Sequence, residues 1–170
     1  LEKKEVPGSE IISDYSYIWY SRADISNRNH EYDKKERLAL EIEYAINFHL
    51  QSPSDKVSKW LERILENNYE IFYLVVLKQI VNVAGFKNLK RKLIFDKRLW
   101  KKHEIRQGYL QELIQKYFSQ NPTETIEFLD LVNQLPADEK VDLLIKKELL
   151  EPLSLYPDLP KPMGIVATDW

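Results

Sequence analysis

The segment Tyr69–Ala84, YEIFYLVVLKQIVNVA, is the only long run of the chain that is apolar almost all the way round. A helix of this composition must be enclosed by its neighbours, because it has no polar face to turn toward water. The sequence therefore predicts a buried central helix at about 69–84, with Gly85 after it as a left-handed cap. Ile71–Val76 would also suit a buried strand, but no second segment of matching quality is present to pair with it.

The composition of the whole chain favours helices. The chain has 170 residues, enough to bury a core, and only four glycines, whereas the turns and bulges of sheet proteins need more. Hydrophobic residues make up 44% and charged residues 31%, which is typical of soluble globular proteins. We predict an all-α fold, either a compact multi-helix bundle or a short helical-repeat stack, around the central helix. Similar helix starts at Pro53 and Pro122 are the reason to consider the repeat alternative.

The order of residue types along the chain predicts three regions. Residues 1–8 are expected to be a flexible lead-in, residues 9–151 a helical domain, and residues 152–170 an extended Pro-rich segment. This last segment is expected to pack on the domain or to lead to a neighbouring one. The chain starts at Leu1 and its only methionine is Met163, so we expect it to be a piece of a longer protein.

Helices are predicted on both sides of the central one. The helix expected at Tyr32–Gln51 has apolar residues on two faces, so we expect it to lie between two layers of the fold. One face carries Leu38, Ile42, Ala45, Ile46 and His49, and the other carries Leu40, Tyr44 and Phe48. Further helices are predicted to begin at Pro53, capped by Ser52, and to span about 86–95, 97–119, 123–135 and 137–150.

The N-terminal stretch at 9–24 fits both a helix and a strand. Its apolar residues have helical spacing, but Tyr15, Tyr17 and Trp19 alternate as the residues of a strand do. We favour a helix, because no partner strand appears nearby. Together with Tyr20 these aromatic residues form a dense group, which is the second candidate for a contact surface.

The most unusual feature of the sequence is a cluster of cations between Lys87 and Arg106. The net charge of the whole chain is only −2, so binding to an anionic partner would need such a local patch. Lys97 and Lys101 are like charges four residues apart, which destabilises an isolated helix by about 0.2–0.5 kcal/mol. A stable fold gains nothing from this repulsion, which indicates a contact surface for an anionic partner.

The predicted contact surface has one aromatic member, Trp100, which would stack on a base or lie at a membrane surface. The alternative is a solvated face whose charge is balanced by acidic residues such as Glu124, Glu127 and Asp130. The predicted partner-binding residues are Lys87, Lys90, Arg91, Lys92, Lys97, Arg98, Trp100, Lys101, Lys102 and Arg106.

The residue types that commonly act in catalysis or bind metals do not show the spacing of a known site in this chain. The chain has no cysteine, which excludes disulfides, thiolate metal sites and cysteine nucleophiles. The histidines are His30, His49 and His103, and no two of them stand four residues apart as in a helical metal site. His49 lies on an apolar helix face, which predicts a hydrogen-bonded core histidine. The sequence therefore predicts no catalytic residue, no metal site and no cofactor.

The segment Arg98–His103, RLWKKH, resembles in one respect the helical RNases of the HEPN class. In that class an arginine and a histidine with this spacing lie on one helix face and act on the scissile phosphate, the histidine as acid or base. The resemblance is confined to these two residues, and Leu99 stands where the class usually has a polar residue. On a regular helix, residues five apart also point about 140° apart.

Taken together, these patterns predict a non-catalytic helical interaction or adaptor module that binds another macromolecule, most simply a protein, through residues 87–106. The alternative is a nucleic-acid-binding protein, or a weak helical RNase, that acts on RNA or DNA phosphates through the same basic residues. A third hypothesis is a small-molecule pocket lined by Tyr44 and His49.

Overall fold

In the computed structural model, the residues described are 10–13, 34–136 and 139–154. Within these ranges the regular elements are helices, accompanied by one isolated β-bridge, so the predicted all-α fold is confirmed. The helices are α1 (Lys34–Leu50), α2 (Asp55–Leu65), α3 (Glu70–Ile80), α4 (Lys87–Ile94), α5 (Lys97–Trp100), α6 (His103–Ile105), α7 (Gln111–Gln120), α8 (Thr125–Asn133) and α9 (Lys140–Ser154). A π-helical turn spans Arg106–Leu110, and a 3-10 turn spans Pro122–Glu124.

The chain divides into two compact units, residues 1–89 and residues 90–170, which are described separately below. None of the described helices is both long enough and apolar enough to cross a bilayer. The predicted lead-in at 1–8, most of the ambiguous stretch at 9–24 with its aromatic group, and residues 155–170 of the Pro-rich segment lie outside the described residues.

Helix α3 is the buried element of the first unit, as its composition predicts. Val75, Val76, Leu77 and Ile80 have no exposed surface. The helix ends at Ile80, four residues before the predicted end, because the chain tightens there and the Val83 amide bonds to the Ile80 carbonyl three residues back. Gly85 does have a left-handed φ of 91°, but it shapes the turn into α4 rather than capping α3.

Among the described residues, helix α1 is buried on one side only, which does not match the prediction that it lies between two layers. Its Glu43 side chain faces α3 and bonds to the two polar residues of that helix, Lys78 at 2.8 Å and Gln79 at 2.7 Å. These bonds orient the helix so that its buried stripe is Ala39, Ile46 and Leu50. The opposite face leaves Leu38, Tyr44 and Phe48 exposed by 62%, 71% and 61%.

The segments around α2 also differ in detail from the sequence-based expectation. Ser54, rather than Ser52, caps the helix, because its hydroxyl oxygen accepts the Val57 amide at 3.3 Å. Residues 10–13 are not helical, since Ile12 pairs with Tyr69 in an isolated parallel bridge. The backbone of this N-terminal stretch therefore has a pairing partner, which we did not expect. The partner is a single residue, Tyr69, just before α3, and not a strand.

Aromatic rings fill the core of the second unit. Phe128 lies 5.0 Å from Phe118 and 5.8 Å from both Phe95 and Trp100, measured between ring centroids. The Trp100 indole N–H donates to the Ile94 carbonyl at 2.7 Å, so this polar group is satisfied inside the core. Trp100 thereby joins the end of α4 to α5.

The long helix predicted at 97–119 is divided in the structure. Asp96 caps the short α5 by accepting the Arg98 amide at 3.0 Å, and Lys102 is extended, with φ −92° and ψ 105°. A π turn at Arg106–Leu110 follows, and Gly108 inside it leaves helical geometry with φ −94° and ψ −109°. The sequence does not reveal the breaks at Lys102 and at the π turn, because apolar residues keep roughly helical spacing across both.

The last helix, α9, passes through Pro152 and ends at Ser154, beyond the predicted end near 150. Proline has no amide hydrogen, so the Glu148 carbonyl four residues back loses its helical partner. The Gln111 side chain from α7 replaces that partner, donating its Nε2 to the Glu148 carbonyl at 2.7 Å. Pro152 is thus tolerated because a neighbouring helix supplies the missing donor.

We expect Gln111→Ala to lower the free energy of unfolding by about 1 kcal/mol, because the Glu148 carbonyl would lose its partner. In a Pro152→Ala background the same change should cost markedly less, since the new amide at 152 can bond to that carbonyl. Urea denaturation of the four proteins of this double-mutant cycle measures the coupling. Equal costs of Gln111→Ala in the two backgrounds would contradict the proposed role of Gln111.

Candidate interaction surface

The ten predicted partner-binding residues lie on α4, on α5 and the turn after it, and at the start of the π turn. Their side chains fall into two groups with different surroundings. All three arginines are held by carboxylates of the same chain, whereas most of the lysines face solvent. The predicted surface is therefore smaller than the sequence suggests, and the cations that it offers to a partner are lysines.

Arg91 binds two carboxylates at once. It lies 2.7 Å from Glu127 and 3.1 Å from Glu124, and its guanidinium carbon stands 4.5 Å from the centre of the Phe95 ring. The hydrogen bond that Arg91 donates to Glu127 is the main reason why the pKa of Arg91 is raised. The Tyr117 hydroxyl donates to Glu124 at 2.7 Å and holds it in place. For this cation, the alternative of a charge balanced by Glu124 and Glu127 is correct.

Arg98 is bound by the residue that caps its own helix. Its Nε donates to Asp96 Oδ1 at 3.0 Å, and one terminal nitrogen donates to Asp96 Oδ2 at 2.7 Å. The same carboxylate accepts the Arg98 amide. This two-pronged geometry matches the planar fork of arginine and leaves less of its charge for an external anion.

Arg106 is the most deeply buried of the predicted cations, at 3% exposure, and its partner Glu148 is 4% exposed. Its Nε donates to Glu148 Oε2, and a terminal nitrogen donates to the Trp100 carbonyl. Gln107 donates to the other carboxylate oxygen at 2.8 Å, and His103 Nδ1 lies 3.6 Å from that oxygen. The charges of this pair are satisfied inside the second unit.

Burial removes three residues from the predicted surface. Trp100 is 1% exposed and Arg106 is 3% exposed, so neither can meet a partner, and the prediction that they do is wrong. Trp100 is part of the aromatic core, and Arg106 forms an ion pair with Glu148. Lys90 is also buried, at 9% exposure, and this burial, followed by the charge of Lys116, lowers its pKa.

The lysines that remain include a group around α5, which we call the lysine cluster: Lys97, Lys101 and Lys102. Lys97 and Lys101 are exposed and Lys102 is half-buried, and among the described residues none of the three forms an ion pair. Lys97 begins α5 and Lys101 caps its end, so the two side chains lie on the same helix face. Lys87 and Lys92 are exposed on α4 as well.

The premise of the HEPN resemblance is not met. Arg98 belongs to α5 and is bound by Asp96, while His103 belongs to α6 and lies near Glu148. The extended residue Lys102 separates the two helices, so Arg98 and His103 do not share one regular helix face.

The described residues offer no metal site, and the two side chains expected to line a small-molecule pocket are exposed. No group of three or more potential metal ligands occurs within the ranges that the structure describes. His49 is exposed rather than in the core, with its ring 5.0 Å from Trp60 and 5.5 Å from Phe48. Tyr44 is also exposed, so these two side chains do not enclose the predicted cavity.

The buried partner of Arg106 went unnoticed in the sequence, although a signal for it was present. Arg106 continues the apolar stripe of Leu110 and Leu113 backward by four residues, and Glu148 continues that of Ile145 by three. A charged residue on an apolar stripe indicates a buried ion pair when a second chain segment shows the opposite charge in the same setting.

Comparison of the chain with protein-family models, with curated proteins and with solved structures found no match.

We expect Glu148→Gln to lower the free energy of unfolding by about 3–5 kcal/mol, because it leaves the Arg106 charge buried without a carboxylate. Glu127→Gln breaks the exposed contact to Arg91 and should cost under about 1 kcal/mol. Urea denaturation followed by circular dichroism measures both values. Comparable losses for the two variants would contradict the distinction between the buried and the exposed pair.

A double variant separates the loss of the carboxylate from general damage to the core. Arg106→Met with Glu148→Leu replaces both charges by apolar side chains of similar size, and such replacements are often neutral or stabilising. We expect this protein to be more stable than Glu148→Gln alone. If it is less stable, the hydrogen bonds of Arg106 to Trp100 and of Gln107 to Glu148 contribute more to the free energy of unfolding than the pairing of the two charges.

Proposed function

We propose that the chain is a non-catalytic interaction module that binds an acidic surface of another protein through the lysine cluster. The observation that carries this proposal is the contrast between arginine and lysine in one segment. Arg91, Arg98 and Arg106 have carboxylate partners, whereas Lys97, Lys101 and Lys102 form no ion pair among the described residues. Within the part of the chain that the structure describes, carboxylates therefore neutralise the arginines but not these three lysines.

The position of the lysines supports an external partner. Lys97 and Lys101 repel each other across one turn of α5, and the approach of an anionic group would relieve this repulsion. Asp96, the nearest carboxylate in sequence, is already bound to Arg98. An acidic partner would supply the carboxylates that the described part of the chain does not place beside these lysines.

The side chains available favour a protein over a nucleic acid. Binding to single-stranded nucleic acid usually combines cations with exposed aromatic rings, and the one tryptophan of this segment is in the core. Bidentate recognition of phosphates uses arginine, and the arginines here are bound to carboxylates. Lysines act as point charges on flexible stems, which suits carboxylates spread over the rim of a protein interface.

Reversing the charge of the cluster tests the proposal. We expect the unmodified chain to bind a fluorescein-labelled peptide of about 20 residues rich in Asp and Glu. The triple variant Lys97→Glu, Lys101→Glu, Lys102→Glu should lose at least about tenfold in affinity, since three attractive contacts become repulsive. Fluorescence anisotropy measures the affinity.

A matched variant controls for the change in net charge. Lys56, Lys59 and Lys140 are exposed and lie outside the basic segment, so their triple change to Glu alters the net charge equally. This control should bind the peptide with less than a twofold change. An equal loss in both triple variants, or no loss in the cluster variant, would mean that the lysine cluster is not the contact surface.

The nucleic-acid alternative is tested with the same proteins. A DNA or RNA duplex of about 20 base pairs replaces the peptide, and affinity is followed against salt concentration. Three phosphate contacts predict a slope of about −3 in a plot of log affinity against log salt. If the duplex binds with this slope and the acidic peptide does not bind, the proposed protein partner is wrong and the alternative is supported.

A further inference from the structure

The outer face of α1, in the first unit, carries large apolar side chains that nothing in the described part of the chain covers. Tyr44 and Phe48 are exposed by 71% and 61%, and Leu38 at the edge of the same face is exposed by 62%. They lie opposite the stripe of α1 that is buried against α3. Isolated exposed apolar residues are common, but a group of three on one helix indicates a contact surface.

Two charged residues complete this face. Arg37, Glu41, Tyr44 and Phe48 follow one another at steps of four, three and four residues, which places them along one side of the helix. Arg37 and Glu41 are both exposed, and among the described residues neither forms an ion pair. We call these four residues the α1 outer face.

The order of these four residues makes the face complementary to itself. When a second copy of α1 runs antiparallel across it, with a two-fold axis between residues 42 and 43, Arg37 of each copy meets Phe48 of the other. In the same register Glu41 of each copy meets the Tyr44 hydroxyl of the other. A cation over an aromatic ring and a hydroxyl donating to a carboxylate are both favourable pairs, and symmetry forms each of them twice.

We propose that the chain forms a two-fold symmetric dimer through the α1 outer face, with the two helices antiparallel. A parallel arrangement would instead place Arg37 near Arg37 and Glu41 near Glu41, which is repulsive. One helix from each copy gives a small interface, so the dimer is weak and reversible, with a Kd of about 1 µM or above. This surface shares no residue with the lysine cluster, and the dimer does not depend on the proposed partner.

The first test is the oligomeric state in solution. Sedimentation velocity of the unmodified chain from about 1 µM to about 1 mM should show a concentration-dependent shift from monomer to dimer. Tyr44→Ser with Phe48→Ser should abolish this shift, while Ile126→Ser with Val141→Ser, two exposed apolar residues of the second unit, should leave it unchanged. A monomer at all concentrations, or a dimer that survives the α1 variant, would overturn the proposal.

The second test measures the register with single substitutions that leave Arg37, Tyr44 and Phe48 of the face in place. The chain has no cysteine, so single cysteines can be introduced without background. In the antiparallel dimer the two residues at position 41 lie about 4.5 Å apart along the helix axis, whereas those at position 51 lie about 25 Å apart. We therefore expect Glu41→Cys to form an intermolecular disulfide on oxidation and Gln51→Cys not to form one.

The outcomes of the cross-linking test are distinct. A disulfide at position 41 alone supports the antiparallel register. Cross-linking at both positions to the same extent indicates a parallel pair or random encounter, and cross-linking at neither indicates that another molecule, or none, covers this face. Each of these two results would overturn the dimer as proposed, even if the serine variant of the first test failed to fold.

Discussion

The buried ion pair between Arg106 and Glu148 is the interaction on which the arrangement of the second unit depends. It joins the π turn to α9, and the hydrogen bond of Arg106 to the Trp100 carbonyl joins both to α5. The Glu148 carboxylate also accepts a hydrogen bond from the Gln107 side chain. The Glu148 backbone carbonyl accepts one from the Gln111 side chain, because Pro152 has no amide hydrogen to donate to it. One glutamate therefore collects donors from the π turn and from the start of α7, and this fixes how both pack against α9.

Such a pair is better understood as a determinant of geometry than as a source of stability. The cost of removing both charges from water offsets much of their attraction, so a well-packed apolar pair of the same volume would stabilise the unit as much or more. A single unpaired charge is costly, however, and this cost excludes arrangements in which Arg106 and Glu148 are apart. The π turn with its non-helical Gly108 agrees with this view, because a continuous regular helix would direct the residues on either side differently.

The same chemistry explains which cations remain at the surface. A guanidinium offers two parallel donors to one carboxylate, so the arginines of the basic segment pair with Asp96, Glu127 and Glu148. An ammonium is a strongly hydrated point charge that gains less from such pairing, and Lys97 and Lys101 stay in solvent. The spacing of Arg106 from Leu110 and Leu113 places it on the apolar stripe of its helix. Its residue type, however, predicts an exposed cation like the lysines beside it. Trp100 belongs to the core for a reason of the same kind, since its indole ring packs against Phe128, which is distant in sequence, at 5.8 Å between centroids.

The helical class, the burial of α3 and the position of most helices can be predicted from the amino-acid sequence, because they follow from local apolar periodicity, scarce glycine and capping residues. Three features follow only from packing between distant segments: which face of α1 is buried, where the helix predicted at 97–119 breaks, and which charges are paired. Each of these depends on a partner distant in sequence: Lys78 and Gln79 for Glu43, Glu148 for Arg106, and Gln111 for the carbonyl freed by Pro152. The spacing of residues within one helix does not identify such a partner. Only the comparison of two apolar stripes that carry opposite charges, as with Arg106 and Glu148, gives a signal for one.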